Sequence, residues 1–222
     1  MAVPAFTLPD QGGRPWSLAE HLDAGVVIVT LRGDWGPYCN CQLVSLAQRY
    51  DDFLDAGVRI VAVSVDTPRR QAAMIDKLDL PFPLLSDPGG EGLLRALGAY
   101  DAVERGGIGR PGVFVITPDG TEAHREVARD YADRSSEDRL LATIRDLHLP
   151  ATTQPALTPG EAEPGPRAMP LDALHPYCRG AKFAAKAMGM RHPATRDDAD
   201  RYVAQMEHYM EVVRDLRERL AR

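Results

Sequence analysis

The sequence predicts an α/β protein built on a mixed β-sheet. Two buried-strand patterns, over 25–32 and 58–65, are separated by helical spacing over 42–57. A hairpin pattern over 112–127 and an amphipathic helical pattern over 135–147 follow. Strand, helix, strand, hairpin and helix in this order are typical of a single sheet with helices packed on it.

The first elements are predicted by hydrophobic periodicity. The run "GVVIVTLR" over 25–32 is continuously apolar and β-branched, as in a strand buried on both faces, and "VRIVAVSV" over 58–65 has the same character. Between them, 42–57 places Leu43, Leu46, Tyr50 and Phe53 on one helical stripe and ends at a glycine, a common helix terminus.

The following elements are predicted by their turn residues and helix-capping residues. Helical patterns over 67–79 and 90–99 are separated by a loop rich in proline and glycine. The segment 112–127 contains two strand patterns joined by a TPDG turn, which indicates a hairpin. The helix over 135–147 opens with serine and acidic residues, a typical N-terminal signal.

The chain divides into three segments by composition. Residues 1–149 form the predicted α/β domain, and 150–170 carries six prolines and predicts an extended, poorly ordered linker. Residues 171–222 predict a helical extension, with a short helix over 171–191 and a final helix from about 195 to 221.

The final helix carries a hydrophobic seam. Its large apolar residues recur at steps of four and three, as in a coiled coil. Such a seam packs against the chain's own domain or preceding helix, or it joins two copies into a homodimer. The seam residues are Tyr202, Met206, Tyr209, Val213, Leu216 and Leu220.

Composition limits the function classes. The formal charge of −6 lacks the basic footprint that nucleic acid or an anionic membrane requires. No apolar run reaches the ~20 residues that span a bilayer, and the first ten residues lack an export signal. Three cysteines, two of them nearly adjacent, are typical of reactive or metal-binding thiols in a reducing compartment. We therefore expect a cytoplasmic protein without a bound cofactor.

Cys39 follows the first buried strand and opens a helix. Pro37 suits the first helical position, so Gly36 is the expected N-cap and Cys39 the third helical residue. The unpaired N–H groups of a helix start stabilise a thiolate, and Arg32 could add positive charge. A thiolate is the nucleophile in peroxide reduction and in disulfide exchange.

Helical geometry separates the two neighbouring cysteines. At 100° per residue Cys39 points inward, whereas Cys41 lies on the outer face with Gln48 and Asp52. A disulfide between Cys39 and Cys41 therefore requires the first turn to unwind, and either Cys41 or Cys178 could resolve an oxidised Cys39.

The cysteines also allow a structural role or a metal-binding role. In the structural role, Cys39 is a small buried hydrophobic residue and Cys41 an incidental surface thiol. In the metal-binding role, the thiols belong to a site with His175 and Cys178 as further ligands.

Five blocks over the first two-thirds of the chain follow one another in a characteristic order. They are "PAFTLPDQGGRPWSL" (4–18), "VVIVTLRGDWGPYCNCQL" (26–43), "VRIVAVSVDTP" (58–68), "LPFPLLSDPGGEGLLRALGAY" (80–100) and "GRPGVFVITPDG" (109–120). Together these blocks resemble a peroxiredoxin-like member of the AhpC/TSA group within the thioredoxin superfamily. The resemblance implies a thioredoxin-like fold, with a central mixed sheet and helices on both sides. It also implies thiol-dependent oxidoreductase or peroxidase activity on hydroperoxides or disulfides, with a thioredoxin- or glutathione-type reductant.

The catalytic turn departs from the family pattern. Relatives with an "RGxWCPYC" turn attack with the cysteine before the proline, where this chain has Gly36, so that only Cys39 of the pair remains. The Thr-x-x-Cys signature of typical peroxiredoxins is also absent. Their active-site arginine aligns with Pro111, next to Arg110, and Pro111 itself matches the cis-proline of thioredoxin-like folds.

Three functional hypotheses follow. In the first, the chain is a thiol peroxidase or disulfide reductase with Cys39 as its redox-active thiol. The supporting residues are then Thr30 as a hydrogen-bonding group, Arg32 or Arg110 as thiolate stabiliser, Trp35 in the turn, and Pro111. In the second, the cysteine missing at Gly36 marks a redox-inactive binding or regulatory module. In the third, the chain is an enzyme of another class, in which 175–192 completes a pocket over the turn and its basic residues attract an anionic ligand.

Overall fold

The computed structural model describes residues 3–222. Its centre is a five-stranded mixed sheet, accompanied by two short two-stranded sheets. The strands are β1 (Thr7–Pro9), β2 (Pro15–Ser17), β3 (Gly25–Thr30), β4 (Val58–Ser64), β5 (Leu84–Ser86), β6 (Tyr100–Asp101), β7 (Ile108–Gly109), β8 (Gly112–Ile116) and β9 (Glu122–Val127). The α-helices are α1 (Pro37–Gln48), α2 (Tyr50–Asp55), α3 (Pro68–Leu78), α4 (Glu137–Arg145), α5 (Leu171–Arg191) and α6 (Arg196–Leu220). Short 3₁₀ turns lie at Leu18–His21, Pro88–Gly90, Glu104–Gly106 and Pro193–Thr195.

The central sheet has the strand order β5-β4-β3-β8-β9. β3, β4 and β5 run parallel, whereas β8 pairs antiparallel with β3 and β9 antiparallel with β8. β3 and β4 are buried over their whole length, because their apolar runs face packed layers on both sides. The predicted strands, the hairpin and the α/β class are confirmed.

The two faces of the sheet are covered differently. Val27 and Val29 of β3 face a core that contains apolar residues from all six α-helices, while Val26 and Ile28 face a second core. That second core is closed by the β1–β2 hairpin and by turns instead of by α-helices. The thioredoxin-like sheet is therefore present with its α-helices on one face, which differs from the expected helices on both sides.

The helix predicted over 90–99 is replaced by turns. Gly89, Gly90 and Gly98 adopt positive φ angles that break the helical path. Leu93, Leu94 and Leu97 of this segment are nevertheless buried, so their spacing reflects packing into the second core. The helix prediction was wrong because the leucines have helical spacing while the glycines interrupt the helical backbone.

The proline-rich segment 150–170 has no helix or strand, as predicted, but it is bound to the first domain. The Thr152 amide donates to the Leu54 carbonyl, and the Arg59 side chain donates to the Thr153 carbonyl. Further along, the Gly165 amide donates to Asp34 Oδ2. These contacts differ from the expectation of a poorly ordered linker, since the backbone groups find partners on the domain surface.

The two C-terminal helices pack against each other and against α1. The predicted seam of α6 is used inside the chain, because Met206, Tyr209, Val213 and Leu216 are buried in the core beneath the sheet. Leu220 at the helix end is exposed. The seam therefore packs on the chain's own domain, and a homodimer stays a prediction that would need another surface.

α5 has the bounds that the sequence predicted, 171–191, and at 21 residues it is a long helix. It runs through Pro176, which lacks the backbone donor of an interior helical residue. No helix in the described part of the chain is long and apolar enough to cross a membrane.

Matched methionine variants test the packing of α6. Met206 is fully buried, and Met190 on α5 is 72% exposed. We expect Met206→Ala to lower the free energy of unfolding by about 2–5 kcal/mol through the cavity it leaves, and Met190→Ala to change it by less than about 0.5 kcal/mol. Denaturant titration measures both values, and a neutral Met206→Ala would contradict the packing.

Candidate active site around Cys39

Cys39 lies where β3 gives way to α1. Gly36 is the N-cap, Pro37 the first helical residue and Cys39 the third, as predicted. The side chain has no exposed surface and belongs to the core beneath the sheet, so the inward orientation is confirmed. The sulfur thus lies in the first helical turn, where backbone N–H groups carry partial positive charge.

Two hydrogen-bond donors contact the sulfur. The backbone N–H of Arg32 lies 3.4 Å from Cys39 Sγ, and Nη2 of Arg134 lies 3.5 Å from it. The guanidinium thus places a charged hydrogen-bond donor against the sulfur. Arg134 was not among the residues predicted for the site, since it lies 95 residues from Cys39 in a loop without a recognisable motif.

Arg134 keeps a further donor available. Its Nη1 donates to the Asp133 carbonyl at 2.8 Å, and its guanidinium lies over the Tyr38 ring. The Nε of Arg134 is buried and has no partner among residues 3–222. A buried, unpaired donor is costly unless a ligand or water completes it.

A small cavity adjoins this arginine. It measures about 10 Å³, close to the smallest space that holds one water. Gln42 lines it together with Arg134, and the Oε1 of Gln42 is likewise buried without a partner in the described residues. The cavity thus offers an unpaired donor and an unpaired acceptor beside the arginine that contacts Cys39.

A larger cleft of about 450 Å³ opens on the surface nearby. Pro111 lines both the cleft and the small cavity, which places the two openings side by side. Arg32, Arg110 and Tyr131 also line the cleft.

Arg32 contacts the sulfur through its backbone, whereas the expected role was for its charged side chain. Its guanidinium forms an ion pair with Glu104 and lies over the rings of Trp35 and Tyr131, at 5.1 Å and 5.5 Å from their centroids. Trp35 also lies under the Arg105 guanidinium at 3.9 Å. The acidic partner Glu104 draws the Arg32 side chain into this ion pair, so the contact of Arg32 with the sulfur is its amide.

The remaining supporting residues hold the backbone beside the site. Thr30 Oγ1 donates to the Arg110 carbonyl at 2.6 Å, which ties β3 to the segment before β8. The Arg110 side chain donates to the Ala128 carbonyl at 3.3 Å, and the arginine found at the sulfur is Arg134. Pro111 is trans, as are all peptide bonds in the described residues, so the match to a cis-proline is not realised.

Gly36 lies directly against the sulfur. A Cβ atom built on Gly36 would lie 3.1 Å from Cys39 Sγ, and the backbone there (φ −78°) accepts any residue. This distance is shorter than an ordinary van der Waals contact, so a side chain at position 36 would require the sulfur to shift by a few tenths of an ångström.

Cys41 does not lie on the outer surface, and that prediction was wrong. It is fully buried, because α5 and α6 cover the face of α1 that the helical wheel placed toward solvent. Its Sγ lies 3.6 Å from Sγ of Cys178, which is also fully buried, and all three cysteines are free thiols. The structure thus brings Cys41 and Cys178 together and holds Cys39 separately.

The thiol–thiol contact shifts the pKa values of Cys41 and Cys178 in opposite directions. The hydrogen bond with Cys178 and then burial raise the pKa of Cys41, and the same hydrogen bond lowers the pKa of Cys178. Cys178 is therefore the first of the two to ionise. A metal site finds no support in the part of the chain that the structure describes, since no group of three His, Cys, Asp or Glu side chains could hold an ion there.

Four tyrosines connect the site to the C-terminal helices. Tyr38, next to Cys39, forms a hydrogen bond with Tyr202 of α6 and packs against Tyr177 of α5 and Tyr131. Burial, followed by its tyrosine hydrogen bonds, raises the pKa of Tyr38, so its hydroxyl stays protonated at neutral pH. The sequence pattern placed only Tyr202 in a seam and did not reveal the cluster, whose members are far apart in the chain.

Comparisons with known proteins agree with this architecture. The AhpC/TSA family model matches residues 1–131, which ends before α4. A Mycobacterium tuberculosis protein with a provisional peroxiredoxin name, Rv2521, is 38% identical over 122 residues, covering 53% of this chain and 77% of that protein. Chloroplastic peroxiredoxin Q of Sedum lineare is 40% identical over 86 residues, covering 39% of this chain and 46% of that protein.

Solved structures share the fold. Peroxidoxin BcpB from Mycobacterium tuberculosis superposes with a TM-score of 0.59 at 25% identity, covering 66% of this chain and 96% of that one. Mycobacterium tuberculosis AhpC gives a TM-score of 0.59 at 21% identity, covering 67% and 91%. The sheet and its surroundings are thus those of peroxiredoxins with a thioredoxin fold.

The contribution of Arg134 is measurable from the reactivity of Cys39. We expect Arg134→Met, in a background of Cys41→Ala and Cys178→Ala, to slow the alkylation of Cys39 by iodoacetamide about tenfold, because the variant loses a charged hydrogen bond to the sulfur, a contact that contributes about 1.5–3 kcal/mol. Mass spectrometry of samples quenched over time measures this rate. Arg139→Met, at an exposed position of α4, is the matched control and should leave the rate unchanged. Equal alkylation rates for both variants would contradict the role of Arg134.

The proximity of position 36 to Cys39 Sγ can be tested by introducing a cysteine there. We expect Gly36→Cys to form an intrachain disulfide with Cys39 under mild oxidation, since the added Cβ lies 3.1 Å from the sulfur. Gly180→Cys on α5, where an added Cβ meets nothing within 4 Å, should keep an alkylatable thiol. Non-reducing peptide mapping distinguishes them, and a thiol at 36 that stays free would refute the geometry.

Proposed function

The chain belongs to the AhpC/TSA family, and on this premise we propose that Cys39 is the thiol with which it reduces hydroperoxides. The chain is a thiol-dependent oxidoreductase of the peroxiredoxin type. The observation that carries the assignment to Cys39 is the pair of donors, one amide and one guanidinium, that contacts its sulfur.

The proposed reaction is a nucleophilic attack on oxygen. The Cys39 thiolate attacks the terminal oxygen of the hydroperoxide, an S–O bond forms and the O–O bond breaks. Cys39 becomes a sulfenic acid, and the alkoxide that leaves takes a proton from water to become an alcohol. The sulfur loses two electrons and the peroxide gains them.

Arg134 is placed to contact both the attacking sulfur and the peroxide in this step. Its Nη2 contacts the sulfur, and its unpaired Nε is free to donate to an oxygen of the bound peroxide. A guanidinium offers its donors in one fixed plane, so the same group can hold the thiolate and stabilise the charge that develops on the leaving oxygen. Cys39 has no exposed surface, so access of substrate requires a neighbouring group to move, and Arg134 is the partly buried side chain that contacts its sulfur.

The redox-inactive alternative is not favoured. Its basis was the missing cysteine at Gly36, but neither donor to Cys39 depends on a side chain at that position. The remaining unpaired Nε of Arg134 would be a cost without a function in a binding module.

The rest of the cycle needs a second thiol and a reductant. We propose that Cys41 or Cys178 resolves the oxidised Cys39, and that a thioredoxin- or glutathione-type thiol then restores the reduced protein. A cytoplasmic location fits this cycle, because its thiols must be returned to the reduced state.

The assignment of the attacking thiol is tested by sulfenate trapping. We expect the full-length protein to form a sulfenic acid on Cys39 within seconds of adding hydrogen peroxide, detected with a dimedone-type probe and peptide mass spectrometry. Cys39→Ser should lower peroxide consumption by roughly 10²-fold or more, whereas Cys41→Ala and Cys178→Ala should still form the sulfenate. Each variant is compared at equal folded fraction, measured by circular dichroism.

One result would overturn the assignment. If Cys41→Ala abolishes the sulfenate while Cys39→Ser retains it, the attacking thiol is Cys41. Parallel assays with hydrogen peroxide and with a bulky alkyl hydroperoxide then compare the substrates that the 450 Å³ cleft admits.

A further inference from the structure

Cys41 and Cys178 form a second thiol centre, apart from the attacking cysteine. They belong to α1 and α5, are 137 residues apart in the chain, and place their sulfurs 3.6 Å from each other. Buried free cysteines usually pack as isolated hydrophobic residues, whereas these two are already in sulfur–sulfur contact. Only a small approach separates this contact from a covalent disulfide.

The two thiol centres differ in their neighbours, since none of the three cysteines has exposed surface. Cys41 and Cys178 contact each other between α1 and α5. Cys39 contacts Arg134, which is only partly buried and lines a small cavity. We therefore expect an oxidant to reach Cys39 first, so that Cys41 and Cys178 are oxidised by way of Cys39.

We propose that Cys41 and Cys178 form the disulfide that ends each oxidation, so that the attacking Cys39 is released as a thiol and α5 becomes covalently linked to α1. This inference rests on the proposed peroxidase function. It adds which two thiols are left as a disulfide after each hydroperoxide is reduced.

The transfer balances without a further reactant. The Cys178 thiolate attacks the sulfenic sulfur of Cys39, an S–S bond forms, and hydroxide leaves and takes the Cys41 proton as water. The Cys41 thiolate then attacks Sγ of Cys178, which forms the Cys41–Cys178 disulfide and expels Cys39 as a thiolate. Across the cycle one hydroperoxide becomes one alcohol and one water, and two thiols become one disulfide.

The start of α1 can supply the movement that the first transfer needs. Gly36 has no side chain with which to cap the helix, and the first turn is held instead by the Asn40 side chain, whose Nδ2 donates to the Gly36 carbonyl at 2.7 Å. Unwinding residues 37–40 would free Cys39 to move while Cys41 stays at the head of the remaining helix. Helix ends open at lower free energy than helix centres, so this motion is local.

The proposed disulfide includes a cysteine from the C-terminal helices. Cys178 is on α5, outside the family match over residues 1–131, and Tyr177 beside it packs on Tyr38 next to Cys39. The same helix therefore contacts both thiol centres. A link between Cys41 and Cys178 would fix this helix on the domain in the oxidised protein and release it on reduction.

Peptide mapping of the full-length protein tests the proposal. The reduced protein receives one equivalent of hydrogen peroxide, is quenched with an alkylating reagent and is digested without reductant. We expect a peptide pair joined through Cys41 and Cys178, with Cys39 alkylated as a free thiol. In Cys39→Ser the same link should form roughly 10²-fold more slowly, because the route through Cys39 is closed.

The outcomes separate this inference from the proposed function. A trapped Cys39 sulfenate with no Cys41–Cys178 link, or a stable link that includes Cys39, overturns the inference and leaves the peroxidase function intact. A Cys41–Cys178 link that forms at the wild-type rate in Cys39→Ser overturns the transfer from Cys39. The absence of any Cys39 sulfenate overturns the proposed function itself.

A second measurement compares the oxidised and reduced forms of the wild-type protein, with Cys178→Ala as a control. A link across 137 residues restrains the unfolded chain strongly, so the oxidised wild-type protein should melt roughly 5 °C or more above the reduced protein. Cys178→Ala should lose this difference between oxidised and reduced samples, whatever its own melting temperature. Equal melting temperatures of the two wild-type forms would contradict the link.

Discussion

The contact of the Arg32 amide and the Arg134 guanidinium with Cys39 Sγ is the interaction on which the site depends. It joins three parts of the fold, namely the end of β3, the first turn of α1 and the loop before α4. The buried strand fixes the amide, and the helix start fixes the sulfur at the positive end of the helix dipole. The guanidinium completes the arrangement only when the loop is folded against α1. Chemistry at this sulfur therefore depends on the tertiary fold and not on a local motif.

The C-terminal helices are the second constraint on the molecule. They contribute Leu174, Met206 and Tyr209 to the same core as the helices of the family-matched segment, so they complete that core. By covering α1 they bury Cys41 and bring Cys178 to it, and by their tyrosines they contact the residue beside Cys39. The extension is therefore part of the environment of every cysteine in the chain. The boundaries proposed at 149 and 170 mark changes in composition. Residues on both sides of these boundaries pack against each other.

Much of the architecture was predictable from local patterns. The strands, the 112–127 hairpin and the position of Cys39 at the third residue of a helix follow from hydrophobic periodicity and from Pro37. Arg134 was not predictable, because nothing in its own loop marks it and its partner is 95 residues away. The burial of Cys41 was missed for a related reason: a helical wheel shows which residues share a face but not what covers that face. Both errors arise from contacts between distant segments, which a single sequence does not encode locally.

Gly36 links these observations. A residue at this position would place its Cβ within 3.1 Å of Cys39 Sγ, where a second thiol would be the nearest partner for an oxidised sulfur. With glycine there, Cys39 has no neighbouring thiol in its own turn, since Cys41 lies on the opposite side of the helix and is already in contact with Cys178. The loss of the local partner is then compatible with thiol chemistry only if a distant thiol replaces it. The chain holds such a thiol in α5, and this replacement gives a physical reason why a glycine in the catalytic turn accompanies a cysteine in the C-terminal helices.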